Sequence, residues 1–269
     1  MKAKGTSPEI LLTNDDGINA EGLYLLYKGL SEHFRTSVAA PAYEQSGVSQ
    51  AFTISSPITY TETVSAHGLS CTAINGTPSD CVKFTISKLL KKRPLLVVSG
   101  LNRGENSGVS SIYSGTVAAA REGCFFGIPS VAFSMAFGGE KHIKSAVKSA
   151  VKIVKKIMKN EIDFDGQKTF ITVNFPACSP KKQKGIRFAK QSTAPFKEKY
   201  ERRIGPNGNE YFWLFGSKKK NPPGSITDDS LLEDNYITVT PHSTDSTDYN
   251  TLKQFESAPD KLKGIVQHD

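Results

Sequence analysis

The sequence predicts an α/β fold built on a parallel sheet, and two kinds of segment predict it. Short apolar runs end in turn residues: Ile10–Leu12 leads into Thr13–Gly17, and Leu95–Ser99 leads into a loop rich in glycine and asparagine. Buried parallel strands have this form. Strands that alternate with helices favour a parallel sheet with helices on its faces. The first helical pattern follows the first run and consists of Leu23, Leu26, Tyr27, Leu30 and Phe34.

Further elements continue this alternation along the chain. We predict strands at Thr36–Ala40, within 51–64, and at Ser70–Ile74, Ser130–Ser134, Thr169–Val173 and Ile237–Thr240. We predict helices at Asp80–Leu90, Val117–Cys124, 141–159 and Asp248–Phe255.

Length and composition indicate a globular cytoplasmic protein. The 269 residues are 38% hydrophobic and 22% charged, which suits one large α/β domain or one domain with an appendage. No run approaches the ~18 apolar residues of a membrane span. No apolar segment follows the basic N-terminus Met1–Thr6, so we expect no secretory signal. Widely spaced cysteines without a CxxC pair indicate free thiols in a reducing compartment. These are Cys71, Cys81, Cys124 and Cys178.

The net charge of +8 makes nucleic-acid binding worth considering. Between residues 141 and 159, lysines alternate at helical spacing with apolar residues such as Val147 and Val151. This is the pattern of an amphipathic helix with a solvated lysine face. Other basic clusters lie among prolines and glycines, as in loops. We therefore expect no dedicated nucleic-acid surface, and the charge would instead attract small anionic substrates.

A β-hairpin with many aromatic residues is predicted after residue 190, where the composition changes. Tyr200–Arg203 and Tyr211–Phe215 flank Gly205–Asn209, a turn of the kind that connects hairpin strands. The second strand carries four aromatic residues in five positions. So much apolar surface on an extension predicts an interface.

Two adjacent carboxylates, Asp15 and Asp16, follow the first strand. Ligands of open α/β sheets bind beyond the carboxyl ends of the strands. Adjacent carboxylates repel each other unless a cation lies between them, and hard divalent ions prefer oxygen ligands. The pair therefore predicts a metal site at the end of the first strand. An Asx-type turn, in which Asn14, Asp15 and Gly17 only shape the chain, explains the same residues.

Other polar loops are expected at the same edge of the sheet. The loop 42–47 follows the second strand, and Gly100–Gly108 follows the core strand and allows a ligand close to the backbone. The latter matches neither the dinucleotide-binding nor the P-loop glycine spacing. Ser114-Gly115-Thr116 opens a helix, whose free N–H groups form an anion site. An ordinary serine cap at Ser114 predicts the same residues.

The turn Asn75–Asp80 opens the next helix. Pro78 suits the first helical turn, and the carboxylate of Asp80 suits the positive end of the helix dipole. We expect a structural role for Asp80 rather than a catalytic one.

Taken together, these loops resemble the SurE family of survival-protein nucleotidases. The resemblance covers nearly the whole chain and is densest from residue 10 to residue 134. Several motifs in the family's order are far more specific than any one of them. The matching stretches are Leu12–Ile18, Ala40–Pro41 with Ser46–Gly47, Asn75–Val82, Val98–Gly104, Tyr113–Val117 with Ala120–Gly123, Gly127–Phe133 and, more weakly, Val239–Pro241.

The resemblance implies a Rossmann-like three-layer α/β/α domain that hydrolyses nucleoside 5′- and 3′-monophosphates to nucleoside and phosphate. It implies one divalent ion, Mg²⁺ or Mn²⁺, and places Asp15 and Asp16 at the catalytic centre. The implied metal ligands are Asp15, Asp16, Ser46 and Asn102. We expect the substrate phosphate to contact Asn14, Gly47, Asn106, Ser114, Gly115 and Thr116.

Two alternative functions use the same site. A phosphatase acting mainly on short polyphosphate or other phosphomonoesters would need the same groups. A nucleotide-binding regulatory protein would keep the pocket without turnover, but such a protein has no need of the intact ligand set. We expect no histidine to take part, because all five lie on the first helix or outside the loops. They are His33, His67, His142, His242 and His268.

The sequence departs from the family at two positions. Ala42 stands where family members commonly have an aspartate, and Gln45 where they have an arginine. Because arginine binds phosphate at two points, its loss is expected to weaken binding or to shift substrate preference.

The resemblance also implies an organisation into subunits. We expect a catalytic core at 1–190, a β-hairpin oligomerisation arm at 191–235, and a C-terminal strand and helix at 236–269 that are exchanged between subunits. A homodimer, or a tetramer, follows from that organisation.

Overall fold

The structure, a computed structural model, describes residues 9–219, 221–222 and 224–258. The strands are β1 (Ile10–Thr13), β2 (Thr36–Pro41), β3 (Thr59–Val64), β4 (Ser70–Asn75), β5 (Leu96–Arg103), β6 (Ser130–Met135), β7 (Thr169–Phe175), β8 (Ile186–Phe188), β9 (Phe196–Ile204), β10 (Glu210–Lys218) and β11 (Ile237–Ser243). The helices are α1 (Glu21–Ser31), α2 (Pro78–Phe84), α3 (Ser110–Tyr113), α4 (Gly115–Phe125), α5 (Ile143–Met158), α6 (Asp228–Glu233) and α7 (Tyr249–Glu256).

A nine-stranded sheet in the order β3-β4-β2-β1-β5-β6-β7-β11-β8 forms the centre of the protein. The strands from β4 to β7 are parallel to one another. Among the described strands of this sheet, only β3 and β11 run antiparallel to a neighbour, β4 and β7 respectively. The predicted α/β class with a mostly parallel sheet is confirmed.

Helices cover both faces of this sheet, because alternate residues of its strands point to opposite sides. In β1, Ile10 and Leu12 belong to the hydrophobic cluster that includes α1 and α5. Leu11, between them, belongs to a second cluster, which includes Cys81 of α2 and Ala119 of α4. Strands buried on both faces need continuous apolar runs, which explains the pattern seen in the sequence.

The lysine-rich segment folds as the amphipathic helix α5. Ala146, Val147, Ala150 and Val151 are buried, whereas lysines such as Lys148 stay exposed. Gly29 of α1 allows close packing here, since a Cβ atom at that position would lie 2.9 Å from Cγ2 of Val151. The predicted solvated lysine face is confirmed.

The protruding hairpin also forms as predicted. β9 and β10 pair antiparallel from Phe196 with Lys218 to Ile204 with Glu210, and the turn lies at 205–209. Trp213 and the other aromatic side chains of β10 are exposed. Their role in an interface stays a prediction.

Some elements differ from the sequence prediction. β5 continues to Arg103 rather than ending at Ser99, because its end pairs with Met135 of β6. The strand predicted within 51–64 occupies only Thr59–Val64. β8, α3 and α6 were not predicted. Each has six residues or fewer, too few to show a clear period.

The predicted division into core, arm and exchanged C-terminal segment stays a prediction. β11 pairs with β7 and β8 of the same chain. Met1–Thr6, His268 and the part of the C-terminal segment from residue 259 lie outside the described residues. Among the residues that are described, no helix is both long and apolar enough to cross a membrane.

Asp80 has the structural role predicted for it. Its backbone N–H donates to the hydroxyl of Thr77 at 3.2 Å, and its carboxylate accepts from the Thr77 N–H at 2.9 Å. This reciprocal pair is a capping box. The carboxylate also accepts from the backbone N–H and hydroxyl of Thr53, at 2.9 and 2.6 Å. Asp80 therefore caps α2 and fixes the 51–58 segment on it.

Replacing Asp80 by alanine should lower the free energy of unfolding by about 2–4 kcal/mol, because a helix cap is lost and part-buried donors of Thr53 and Thr77 lose their acceptor. Urea denaturation measures the change. Asp248→Ala is the matched control, since Asp248 caps the exposed helix α7 and its loss should destabilise the protein clearly less. Equal losses in the two variants would contradict this account.

Candidate active site

Most of the predicted site residues meet at the carboxyl edge of the sheet. A cavity of about 300 Å³ brings together residues from the ends of β1, β2 and β5 and from the start of α4. The backbone N–H of Gln45 donates to the carbonyl of Asp15 at 2.7 Å, which ties the second loop to the first. The predicted residues lining the cavity are Asp15, Ser46, Gly47, Asn102, Asn106 and Ser114.

Asp15 is held against the N-terminus of α4. The backbone N–H of Thr116 donates to Oδ2 of Asp15 at 3.0 Å, and the Thr116 hydroxyl donates to Oδ1. The positive end of the helix dipole favours a carboxylate there. Gly115 allows the approach, since a Cβ atom at that position would lie 2.9 Å from Cβ of Asp15. Thr116 is fully buried, so its role in the structure is to orient Asp15.

Asp16 faces a second cavity, of about 480 Å³, which Asn102 also lines. Burial and the neighbouring charge of Asp15 raise the pKa of Asp16 to about 7. Burial also raises the pKa of Asp15, and the nearby Glu44 raises both pKa values further. The two aspartates are therefore costly to ionise together without a cation.

Neutral oxygen atoms complete the predicted ligand set. The side-chain NH₂ of Asn102 donates to the carbonyl of Gly104 at 2.8 Å, which leaves its Oδ1 atom as the acceptor. The hydroxyl of Ser46 donates to Oε1 of Glu44 at 2.7 Å, which leaves oxygen lone pairs for a ligand. No three His, Cys, Asp or Glu side chains in the described ranges are grouped to hold a metal. A cation here would need the oxygens of Ser46 and Asn102 besides the aspartates.

Asn14 shapes the turn that presents the two aspartates. Its Nδ2 donates to the carbonyl of Gly17 at 3.0 Å, which closes the turn. This is not the Asx-type turn considered from the sequence, in which the side-chain oxygen accepts from the backbone N–H two residues on. Asn14 is fully buried, and its Oδ1 has no hydrogen-bond partner. A direct phosphate contact for Asn14 stays a prediction.

Ser114 is the N-cap of α4, as the alternative interpretation predicted. Its hydroxyl accepts from the N–H of Val117 at 3.1 Å. Because Ser114 also lines the cavity, the cap stands beside the acidic pair. The serine cap and the predicted anion site therefore fall at the same place, the start of α4.

The loop carrying Asn106 is fixed from several sides. The N–H of Asn106 donates to Oδ1 of Asn174, and its Nδ2 donates to the hydroxyl of Ser134, both at 2.8 Å. The N–H of Gly108 donates to Oδ2 of Asp228 at 2.7 Å, and the hydroxyl of Ser107 donates to Oδ1 of Asp229 at 2.6 Å. Helix α6 therefore supports an active-site loop that lies more than 100 positions earlier in the chain. The base of the hairpin contacts the same cluster.

Three aromatic side chains also line the 300 Å³ cavity and form its aromatic wall. They are Tyr113, Phe137 and Phe196, the last from the first position of the hairpin. Tyr113 and Phe137 are exposed. The sequence did not predict this aromatic wall, because its members come from three separate segments without a common motif.

The described histidines lie outside both cavities. His242 stacks on Phe170 with ring centroids 5.1 Å apart, and burial lowers its pKa to about 4. His67 stacks on Tyr24 at 5.1 Å. Both are structural, in agreement with the prediction for them.

Fold and site together define an α/β enzyme with an acidic site at the carboxyl edge of a parallel sheet. The chain belongs to the SurE family: residues 10–198 match the family described as Survival protein SurE. The chain is 36% identical over 250 residues to the 5′-nucleotidase SurE of Syntrophomonas wolfei, covering 93% of this chain and 94% of the relative. With the 5′-nucleotidase SurE of Nitratidesulfovibrio vulgaris it shares 39% identity over 254 residues, covering 92% and 98% of the two chains.

A solved structure agrees with the fold. The crystal structure of the SurE protein from Aquifex aeolicus matches with a TM-score of 0.78 at 33% identity, over 93% of this chain and 99% of that chain. The predicted family and Rossmann-like fold are confirmed. The predicted class of enzyme, a nucleotidase, agrees with the names of the relatives.

Asp16→Asn should stabilise the metal-free protein at pH 8 by about 4 kcal/mol and change its stability little at pH 4, because each unit of pKa shift corresponds to about 1.4 kcal/mol. The folded-state pKa of Asp16 is about 7, above its ordinary 3.8, so ionisation costs more in the folded state than in the unfolded one. Wild-type stability therefore falls as the pH rises from about 4 to 7, and the neutral amide avoids that loss. Urea titrations at both pH values in EDTA measure the difference. The control is Asp163→Asn, which changes an exposed aspartate; an equal gain in that variant would contradict the assignment.

Proposed function

We propose that the protein hydrolyses nucleoside 5′- and 3′-monophosphates to nucleoside and phosphate. The observation that carries the proposal is the 300 Å³ cavity, in which oxygen ligands and a helix N-terminus face an aromatic wall. The oxygen ligands suit a phosphate-bound cation, and the aromatic wall suits a nucleobase. A phosphatase for short polyphosphate would have no use for that wall.

One divalent ion, Mg²⁺ or Mn²⁺, is proposed as the cofactor, held by Asp15, Asp16, Ser46 and Asn102. Two carboxylates, a hydroxyl and an amide oxygen are hard donors, which such ions prefer. The raised pKa values of the two aspartates fit the same assignment, since a cation would relieve their repulsion. When bound, the ion would polarise the phosphoryl oxygens and supply a hydroxide nucleophile.

The chain's own groups would orient the substrate. Thr116 keeps the carboxylate of Asp15 in one orientation through two hydrogen bonds. The N–H groups of Thr116 and Val117 are already used by Asp15 and Ser114. We therefore assign the phosphate contact at the start of α4 to the N–H of Gly115. Gly47 and Asn106 would contact the phosphate from the facing loops.

Subunit assembly is proposed on separate grounds. The exposed aromatic strand β10 carries more apolar surface than a solvated hairpin tolerates, which supports an interface in a homodimer or tetramer. A cytoplasmic location remains our proposal, supported by the absence of disulfides among the described cysteines, all of which are free.

Phosphate release should occur with nucleoside 5′- and 3′-monophosphates in the presence of Mn²⁺ or Mg²⁺ and stop in EDTA. Asp16→Asn should reduce kcat/KM at least about 100-fold, because even partners of metal ligands contribute 10- to 100-fold. Asp163→Asn should behave as wild type. Release from tripolyphosphate alone would favour the alternative phosphatase function. No metal-dependent release from any substrate would contradict both enzymatic functions.

Phe137→Ala should raise KM for a nucleoside 5′-monophosphate roughly tenfold while leaving KM for ribose 5-phosphate unchanged. Stacking of a base on an aromatic ring contributes about 1–3 kcal/mol. Ribose 5-phosphate has no base and therefore does not make this contact. Phe188→Ala serves as the control, because Phe188 is exposed on β8 and lies outside the cavity. Equal effects on the two substrates would show that the ring does not bind the base.

A further inference from the structure

Arg103 is the positive side chain beside the acidic site. It ends β5 directly after Asn102, and these two residues line both the 300 Å³ and the 480 Å³ cavity. All other charged side chains of the described residues that line the two cavities are carboxylates. They are Asp15, Asp16, Glu21, Glu105 and Glu140.

A phosphate monoester carries up to two negative charges and would enter a strongly acidic surrounding. Among the described residues, no lysine and no other arginine lines either cavity. Lys218 lies nearby, with Nζ 4.0 Å from Oε1 of Glu105. Its ammonium group is already bound, however, to the carbonyl of Ser107 and to Oδ1 of Asp229, each at 2.8 Å. Arg103 is therefore the cation available to a substrate.

The position of Arg103 leaves its guanidinium group free to move. Its Nε lies 3.1 Å from Oε1 of Glu140, and the two side chains are 75% and 44% exposed. Exposed ion pairs contribute little free energy, so a better anion can displace Glu140. A phosphate is such an anion, because it can accept two parallel hydrogen bonds from one guanidinium group.

The charge of Arg103 already acts on Asp16. Burial and Asp15 raise the pKa of Asp16, and the backbone N–H and the positive charge of Arg103 oppose that rise. The residue thus lies close enough to influence groups at the proposed metal site.

We propose that Arg103 binds the phosphate of the substrate and that Glu140 competes with the phosphate for it. This inference rests on the proposed function, because the phosphate is that of the nucleotide. In the substrate-free protein Glu140 holds the guanidinium group beside the cavities. When the phosphate enters, the guanidinium group leaves Glu140 and binds two phosphate oxygens. The strength of the Arg103–Glu140 pair then sets the apparent affinity for substrate.

Arg103→Gln and Glu140→Gln should change phosphate binding in opposite directions. With Mn²⁺-loaded protein, calorimetric titration with inorganic phosphate should show binding weakened roughly 10- to 100-fold in Arg103→Gln, because a charge-assisted contact is lost. Glu140→Gln should tighten binding up to about fivefold, since an exposed competitor is removed. KM for the nucleotide should follow the same order, and Arg103→Lys should recover only part of the loss, because an ammonium group cannot make the two-point contact.

Two controls separate this role from others. Lys156→Gln removes the same charge from the exposed Lys156–Glu161 pair and should leave phosphate binding unchanged. Arg103→Gln should bind Mn²⁺ at least as tightly as wild type, because it removes a positive charge beside carboxylates. Wild-type phosphate affinity in Arg103→Gln, weaker binding in Glu140→Gln, or loss of Mn²⁺ binding in Arg103→Gln would each overturn the proposal. If wild type releases no phosphate from nucleotides, the proposed function fails, and the calorimetric titrations still decide the role of Arg103.

Discussion

The contact between Asp15 and the start of α4 is the interaction on which the rest of the site depends. A buried carboxylate needs donors, and Thr116 supplies two of them. The same contact ties the loop after β1 to the first turn of α4. Because Gly115 has no side chain, the helix approaches Asp15 closely enough to make it. Asp16, the next residue, lines the neighbouring cavity instead.

Placing two carboxylates side by side at a largely buried edge lowers the folding stability at the same place that serves the proposed chemistry. Natural cores avoid unpaired charges, yet Asp15 and Asp16 lie side by side at a largely buried edge with pKa values raised by that burial. The protein tolerates them because the sheet beneath is apolar on both faces and firmly packed. Strain of this kind is concentrated at sites where chemistry is performed.

The sequence predicted the features that depend on neighbours along the chain. The central strands, α1, α5 and the hairpin follow from local periodicity, and loops that end parallel strands necessarily share one edge, so Asp15 and Asn102 could be placed together. Contacts between segments that are distant in the chain could not be predicted from local patterns. Asp228 and Asp229 support the Asn106 loop from over 100 positions away, and the end of β5 was missed because its pairing with β6 continues past a glycine.

The junction at the base of the hairpin constrains how the protein can be rebuilt. Lys218, the last residue of β10, contacts Ser107 of the active-site loop and Asp229 of α6 in one cluster. The hairpin, α6 and the loop therefore depend on one another structurally, although they are far apart in the chain. A chimera that takes its hairpin from another SurE protein must take α6 and the 105–108 loop from the same parent, or its new hairpin base will meet partners of the wrong charge and length.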